Sequence, residues 1–324
     1  MKNQPLLKNQ PLPKPMQSTT TDITEPVNSS RRHFLRRAGA TGALLSSAAL
    51  LGSTPAARAA DAGTATDIAV LNFALNLEYL EAEYYLRAFD GGGLESHGVA
   101  VTGSGTPGSV TVKANPQVPF ASQAIREYAL EIATDEKNHV SALRATIQSL
   151  GGVPAARPKI DLQASFNTLA SAAGIGPAFD PFANDLNFLL GAFIFEDVGV
   201  TAYKGAAALI TNKDVLTAAA GILSAESSHS AIVRTVLFAR SDDAVADVLG
   251  IVKKISDLRD ALDGPTDLDQ PLIGPDGYAN LVVLDANGIA FSRTTRQVLN
   301  IVYGAANATS GLFFPNGLNG QITA

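Results

Sequence analysis

Two short stretches carry the same arrangement of reactive side chains: "TDEKNHVSALR" at 134–144 and "SAESSHSAIVR" at 224–234. In each, a Glu is followed three places later by a His and, five places after that, by an Arg. The chain has only four histidines and ten glutamates, so this pattern takes half of its histidines. On an α-helix, residues three apart share a face. Glu136 and His139 can therefore present a carboxylate and an imidazole to one point, and so can Glu226 and His229. Such donors hold metal ions. The absence of cysteine excludes disulfides, thiolate metal sites and cysteine nucleophiles.

A dinuclear carboxylate centre fed by two such helices needs one more Glu from each of two other helices. The segments "NLEYLEAEYY" and "IFEDVGVTAY" offer Glu78 and Glu196, each followed seven places on by a tyrosine, Tyr85 and Tyr203. Seven residues make about two turns, so each Tyr lies on the face of its Glu. Glu196 stands in an apolar run, "NFLLGAFIFEDVGV", where an unpaired carboxylate is costly to bury and a cation removes that cost. Asp197 is expected to point off that face. Glu81 lies one turn beyond Glu78 and competes with it, although the tyrosine register favours Glu78; Glu83 is expected in solvent. Tyr85 and Tyr203 either hydrogen-bond to the ligands or fill the core. Arg144 and Arg234 either pair with a ligand carboxylate or lie on a solvated face. His97 reads as a loop residue. Ordinary surface pairs would also explain each Glu-x-x-His alone, but not Glu196 or the repeated Arg.

These residues need four long helices. Residues 67–89 form one amphipathic helix, with Asp67 as its N-cap, stopped by Gly91–Gly93. A Gly-, Ser- and Thr-rich insert at 90–118 suits a loop or small hairpin. A second helix is expected from Pro119 to Leu150, a third from Pro181 to Leu209 and a fourth from Asp214 to Ala239, with an irregular crossover at 153–180. The two halves repeat as Glu-x6-Tyr followed by Glu-x2-His-x4-Arg, with 58 residues from Glu78 to Glu136 and 30 from Glu196 to Glu226. The difference of 28 is close to the length of the insert, which points to an internal pseudo-two-fold. The fold class is all-α: a four-helix bundle over 60–240 with one long crossover, plus an extension at 241–324. That extension reads as a helix at 243–262, a hairpin around Asn287-Gly288 and a short helix capped by Ser292.

Residues 1–59 read as an export signal with a polar leader. Arg31-Arg32, a mildly apolar run at 38–52 and Ala57-Arg58-Ala59 follow the order of a twin-arginine signal peptide. No later segment reads as a membrane span. The whole chain carries 24 Lys and Arg against 30 Asp and Glu. Without residues 1–59, which hold eight basic and two acidic residues, it keeps 16 and 28, a net charge of −12. That charge argues against nucleic-acid binding.

At these residues the sequence resembles the ferritin-like superfamily, whose pattern of two lone Glu and two Glu-x-x-His pairs is matched in full. "IREYALEIATDEKNHV", "FSRTTRQVLNIVYG" and "FFPNGLNG" look more narrowly like exported ferritin-like-domain proteins related to plant desiccation-related proteins. The resemblance implies two Fe or two Mn ions reacting with O₂ or peroxide, and manganese catalases share a similar ligand set. Hard oxygen donors with only two imidazoles also suit Mn or Fe better than Cu or Zn. The reading is thus an exported, periplasmic or extracellular metal protein, carried by the twin-arginine machinery and free of the membrane after cleavage. It acts on H₂O₂, O₂ or Fe(II), or else is a non-catalytic stress protectant. Whether it forms homo-oligomers stays open.

Overall fold

The computed structural model describes residues 55–242 and 246–324, with side chains from residue 61 onward. Four long helices dominate: α1 (Pro55–Asp90), α2 (Gln123–Ser149), α4 (Asp185–Ala207) and α5 (Lys213–Ala239), with a short α3 (Ala164–Ala172) in the crossover. The extension adds α6 (Val248–Asp263) and α7 (Thr295–Tyr303). The architecture is the expected all-α bundle. Helices α1 and α2 form one antiparallel pair and α4 and α5 the other; the long crossover lets α4 run parallel to α2. Of the expected signal at 1–59, residues 1–54 lie outside the described residues and 55–59 form the first turns of α1.

Local chemistry moves several boundaries. Pro119 does not open α2; Ser122 does, accepting from the Ile125 N–H, while Asp185 of α4 accepts from the Ala121 and Ser122 N–H groups. Asn184 and Asn212 cap α4 and α5 with their side-chain oxygens. Asp67 is no N-cap of its own helix, which continues back to Pro55. Buried instead, it accepts from the N–H groups of Thr211 and Asn212 and clamps the α4–α5 turn. Thr294, not Ser292, caps α7, through a reciprocal pair with Gln297; Ser292 accepts from Lys204 Nζ at 2.8 Å.

The insert forms no hairpin. Its strand β1 (Val110–Thr111) pairs in parallel with β2 (Ile160–Asp161) of the crossover, so the two irregular segments cover the same end of the α1–α2 pair. Arg157 fastens them: it bonds Glu83 of α1 and Glu95 of the insert, and donates to the Gly108 carbonyl. Glu83 is therefore fully buried, with Arg87 as a second partner, and not solvated as its sequence context suggests. The face of α1 that carries Glu83 looks exposed only until the insert folds over it.

By length and composition α4 could cross a membrane, contrary to the sequence reading, yet most of it is buried inside the bundle as a core helix requires. Its middle is held to the extension by a buried ionic network. Asp197 of α4 accepts from Arg234 of α5 at 2.8 Å and from Arg259 of α6 at 3.0 Å. Arg259 also meets Asp269 at 2.8 Å, and Arg293 bridges Asp269 and Asp263. Three guanidinium groups face three carboxylates, so the cluster is neutral, which makes its burial affordable. Arg293→Ala strips Asp263 of its cation and should cost about 3–5 kcal/mol, read as a lower urea midpoint; replacing Arg293 and Asp263 together by Leu should recover most of the loss.

Candidate metal centre

The four bundle helices bring Glu78, Glu136, His139, Glu196, Glu226 and His229 to one place at their middle. Every one of the four carboxylates is buried, at 1% exposure or less. One set, Glu78, Glu136, His139 and Glu226, offers ligand atoms within 4.8 Å of one another; a second set is Glu136, Glu196 and His229. Glu136 belongs to both: its Oε2 lies 3.3 Å from His139 Nδ1 and its Oε1 3.1 Å from His229 Nδ1. It stands where a shared ligand would stand.

The residues fit a pair of cations. Glu78 Oε2, Glu136 Oε1, Glu196 Oε2, both Glu226 oxygens and His229 Nδ1 are buried and have no hydrogen-bond partner. The contact between Glu136 Oε1 and His229 Nδ1 has a hydrogen bond's length but not its alignment. Buried polar atoms of this kind are normally paired, and here six orphans converge. Four carboxylates with two neutral imidazoles carry four negative charges, which two divalent ions would cancel.

The electrostatics tell the same story. Burial, then repulsion from Glu136, lifts Glu226 well above the usual carboxylate range, and the same two causes lift Glu81. Glu196 is raised by burial against the pull of His229. Burial also raises Glu78, His139 pulls it back, and it stands at about 7. Glu136 goes the other way: burial would raise it, but the two imidazoles hold it below its ordinary value. Burial disfavours a charged ring, yet the surrounding carboxylates push His139 up to about 11 and His229 up to about 12. The protons on these rings occupy the place a metal would take.

Tyr85 and Tyr203 do bond to the predicted ligands, but crosswise. Tyr85 of α1 donates to Glu196 of α4, and Tyr203 of α4 donates to Glu78 of α1. The two-turn register is right about the face and misses the partner, because α1 and α4 lie antiparallel and each tyrosine reaches across the seam. Neither Arg meets a ligand carboxylate. Arg144 donates to the Tyr79 hydroxyl at 2.5 Å, and Arg234 to Asp197 at 2.8 Å. Tyr79 follows Glu78 and Asp197 follows Glu196, so the repeated Arg ties each Glu-x-x-His helix to the residue after the lone Glu of its partner helix. Asp197 does point off the ligand face, into this tie. His97 pairs with Asp90 at 3.2 Å in the insert, away from the centre.

Sequence reasoning missed Asp135, whose Oδ2 lies 3.3 Å from His229 Nε2. A carboxylate there orients the ring and turns Nδ1 toward the centre. No local signal marks it, since it acts on a helix 94 residues away. The pseudo-equivalent position is Ala225, so His139 has no such partner from α5. Glu81 is a fifth buried carboxylate beside the centre rather than a replacement for Glu78. A side chain at Gly199, its pseudo-equivalent on α4, would collide with Glu226 Oε2 and come within 3.6 Å of Glu81 Oε1.

Residues 66–239 match the family of the Ferritin-like domain. Over 272 residues, covering 79% of this chain and 84% of the relative, the sequence is 34% identical to the desiccation-related protein PCC13-62 of Craterostigma plantagineum. Over an equal span it is 30% identical to the ferritin-like catalase Nec2 of Nesocodon mauritianus. The chain belongs to the ferritin-like family. In this ferritin-like bundle the buried acidic and imidazole cluster could hold metal, and its donor set suits two ions.

Two measurements check this site. Metal uptake must displace protons from both rings and from the ligand carboxyls that burial raises, so between pH 6 and 8 affinity should rise with pH by about a hundred-fold per unit or more; calorimetry in buffers of differing ionisation enthalpy should show about two or more protons released. Asp135→Ala should weaken metal binding by about 10- to 100-fold while leaving the helical circular dichroism unchanged.

Proposed function

We propose that this chain is an exported dinuclear iron or manganese protein that carries out oxidation and reduction on hydrogen peroxide, dioxygen or Fe(II) in stress protection. The observation that carries the reading is the set of buried carboxylate and imidazole atoms, left without protein partners, at the seam of four helices. Glu78, His139 and Glu226 would complete one ion's set and Glu196 and His229 the other's, with Glu136 serving both. Bound there, the ions would supply open coordination positions and reversible electron exchange to a small oxidant.

The chain's own residues prepare the site. Tyr85 and Tyr203 each hold one carboxylate oxygen through an O–H bond and so fix how Glu196 and Glu78 present the other. Burial raises both hydroxyls well above the usual tyrosine range, so they stay protonated donors. Asp135 directs His229. Burial and then the neighbouring carboxylates raise Glu81 well above the usual carboxylate range and so favour its neutral form. The packed core around the seam keeps bulk water out. The relative named a ferritin-like catalase supports peroxide as substrate.

A second reading has its own support, since the relative at 34% identity is named a desiccation-related protein. There the ions would only fasten the four helices. The mature chain purified from its own export route should carry about two Mn or Fe and release oxygen from hydrogen peroxide. Two metals without turnover of peroxide or Fe(II) would favour the fastening role. Glu196→Ala and His229→Ala should each lose metal; full occupancy in both would sink the ligand assignment. Export by the twin-arginine route to the periplasm or beyond belongs to the same proposal, and N-terminal sequencing of the secreted chain tests it.

A further inference from the structure

The pseudo-two-fold that relates the halves breaks on one side of the centre. Where α1 has Glu81, three places beyond Glu78, α4 has Gly199, three places beyond Glu196. With no side chain of its own, Gly199 gives room to Glu226 Oε2, and together with Glu81 it lines a cavity of about 30 Å³ between α1, α4 and α7. Its walls are almost wholly apolar, including Leu80, Val198, Ala202 and Ile301, and Glu81 is the lone ionisable carboxyl among them. Room of that size suits one water-sized molecule. Glu81 at 6% and Ala202 at 7% keep some exposure, whereas Glu78, Glu136 and Glu226 keep none.

A second apolar cavity of about 30 Å³ abuts the first, sharing Ile194, Ile301 and Phe313 as walls. Its outer rim is the half-buried Leu169, Ala173 and Ile175 around the crossover, facing α6. The outer cavity reaches these half-buried residues and the inner one reaches Glu81, with α6, α7 and Phe313 of the extension supplying much of the wall. Apolar walls exclude ions, because a charge pays a large desolvation penalty there. They admit small uncharged molecules.

We infer that these two cavities form the route by which a small uncharged oxidant, hydrogen peroxide or dioxygen, reaches the centre, with the Glu81 carboxyl as its inner polar contact and Gly199 beside it in the inner wall. This deepens the oxidoreductase reading and rests on it for the oxidant, while the route itself is a property of the cavities. It also sets Fe(II) apart as a substrate that cannot enter this way.

Xenon occupies apolar cavities of protein interiors, so crystals of the metal-loaded protein under xenon should show an atom beside Ala202 and Glu81. Ala202→Leu fills that space. With metal content equal to wild type, it should lose the xenon and lower kcat/KM for peroxide by about ten-fold. Ile301→Ala, which widens the wall, should keep xenon and should not lower kcat/KM. An empty cavity under xenon, or an Ala202→Leu enzyme with wild-type kcat/KM and full metal, overturns the route. If the wild-type protein holds metal but does not turn over peroxide, the oxidoreductase reading falls instead. The rate of nitric oxide binding to the Fe(II)-loaded protein then decides: slower in Ala202→Leu supports the route, and equal rates overturn it.

Discussion

Four glutamates and two histidines stand at the middle of four packed helices, all buried except His139, whose side chain is 12% exposed. Carboxylates in such a place repel one another across a medium that screens poorly, and the cost must be met by something held between them. Protons meet it in part, on both imidazoles and on the carboxyls that burial lifts. Two cations would meet it fully. Much of the remaining structure can be read as the means of keeping these charges together: a protein without the cluster would need neither the crossed tyrosines nor the arginine ties behind each helix.

Those supports follow the internal repeat. Each half pairs a helix bearing a lone Glu with one bearing Glu-x-x-His-x4-Arg, and in each the Arg reaches back to the residue after the lone Glu. The tyrosines then link the halves to each other. The repeat is imperfect in ways that bear on chemistry. Asp135 backs one imidazole and not the other; Glu81 and Gly199 occupy matching positions with opposite consequences. Symmetry holds the ligands, and its breaks give one side of the centre a fifth carboxyl and an opening.

The segments outside the repeat take part in the site. Residues 246–324 are fastened to α4 by the network of Asp197, Arg259, Asp269, Arg293 and Asp263, which begins at the residue next to Glu196. Phe313 and α7 close the cavities beside the centre. The insert and crossover, joined through β1, β2 and Arg157, cover the α1–α2 pair and meet the extension through Asn319 and Phe313. A bundle of four helices alone would leave Glu83 with Arg87 and Asp197 with Arg234; the crossover and the extension add the second cations, Arg157 and Arg259.

Periodicity and the repeated Glu-x-x-His determined the four long helices, the place of the crossover and the six clustered residues, because a helix fixes which residues share a face within one segment; the short α3 inside the crossover was not legible. Glu196 was legible for a related reason: a carboxylate in an apolar run has few affordable fates. What lies between segments was decided by the tertiary structure. Tyr85 and Tyr203 find their partners on each other's helix, Asp135 acts across the bundle, and Glu83 and Asp67 are buried by chain 74 and 144 residues away. None of these contacts leaves a trace in local spacing, since the direction and depth of packing between two helices depend on every side chain in the seam.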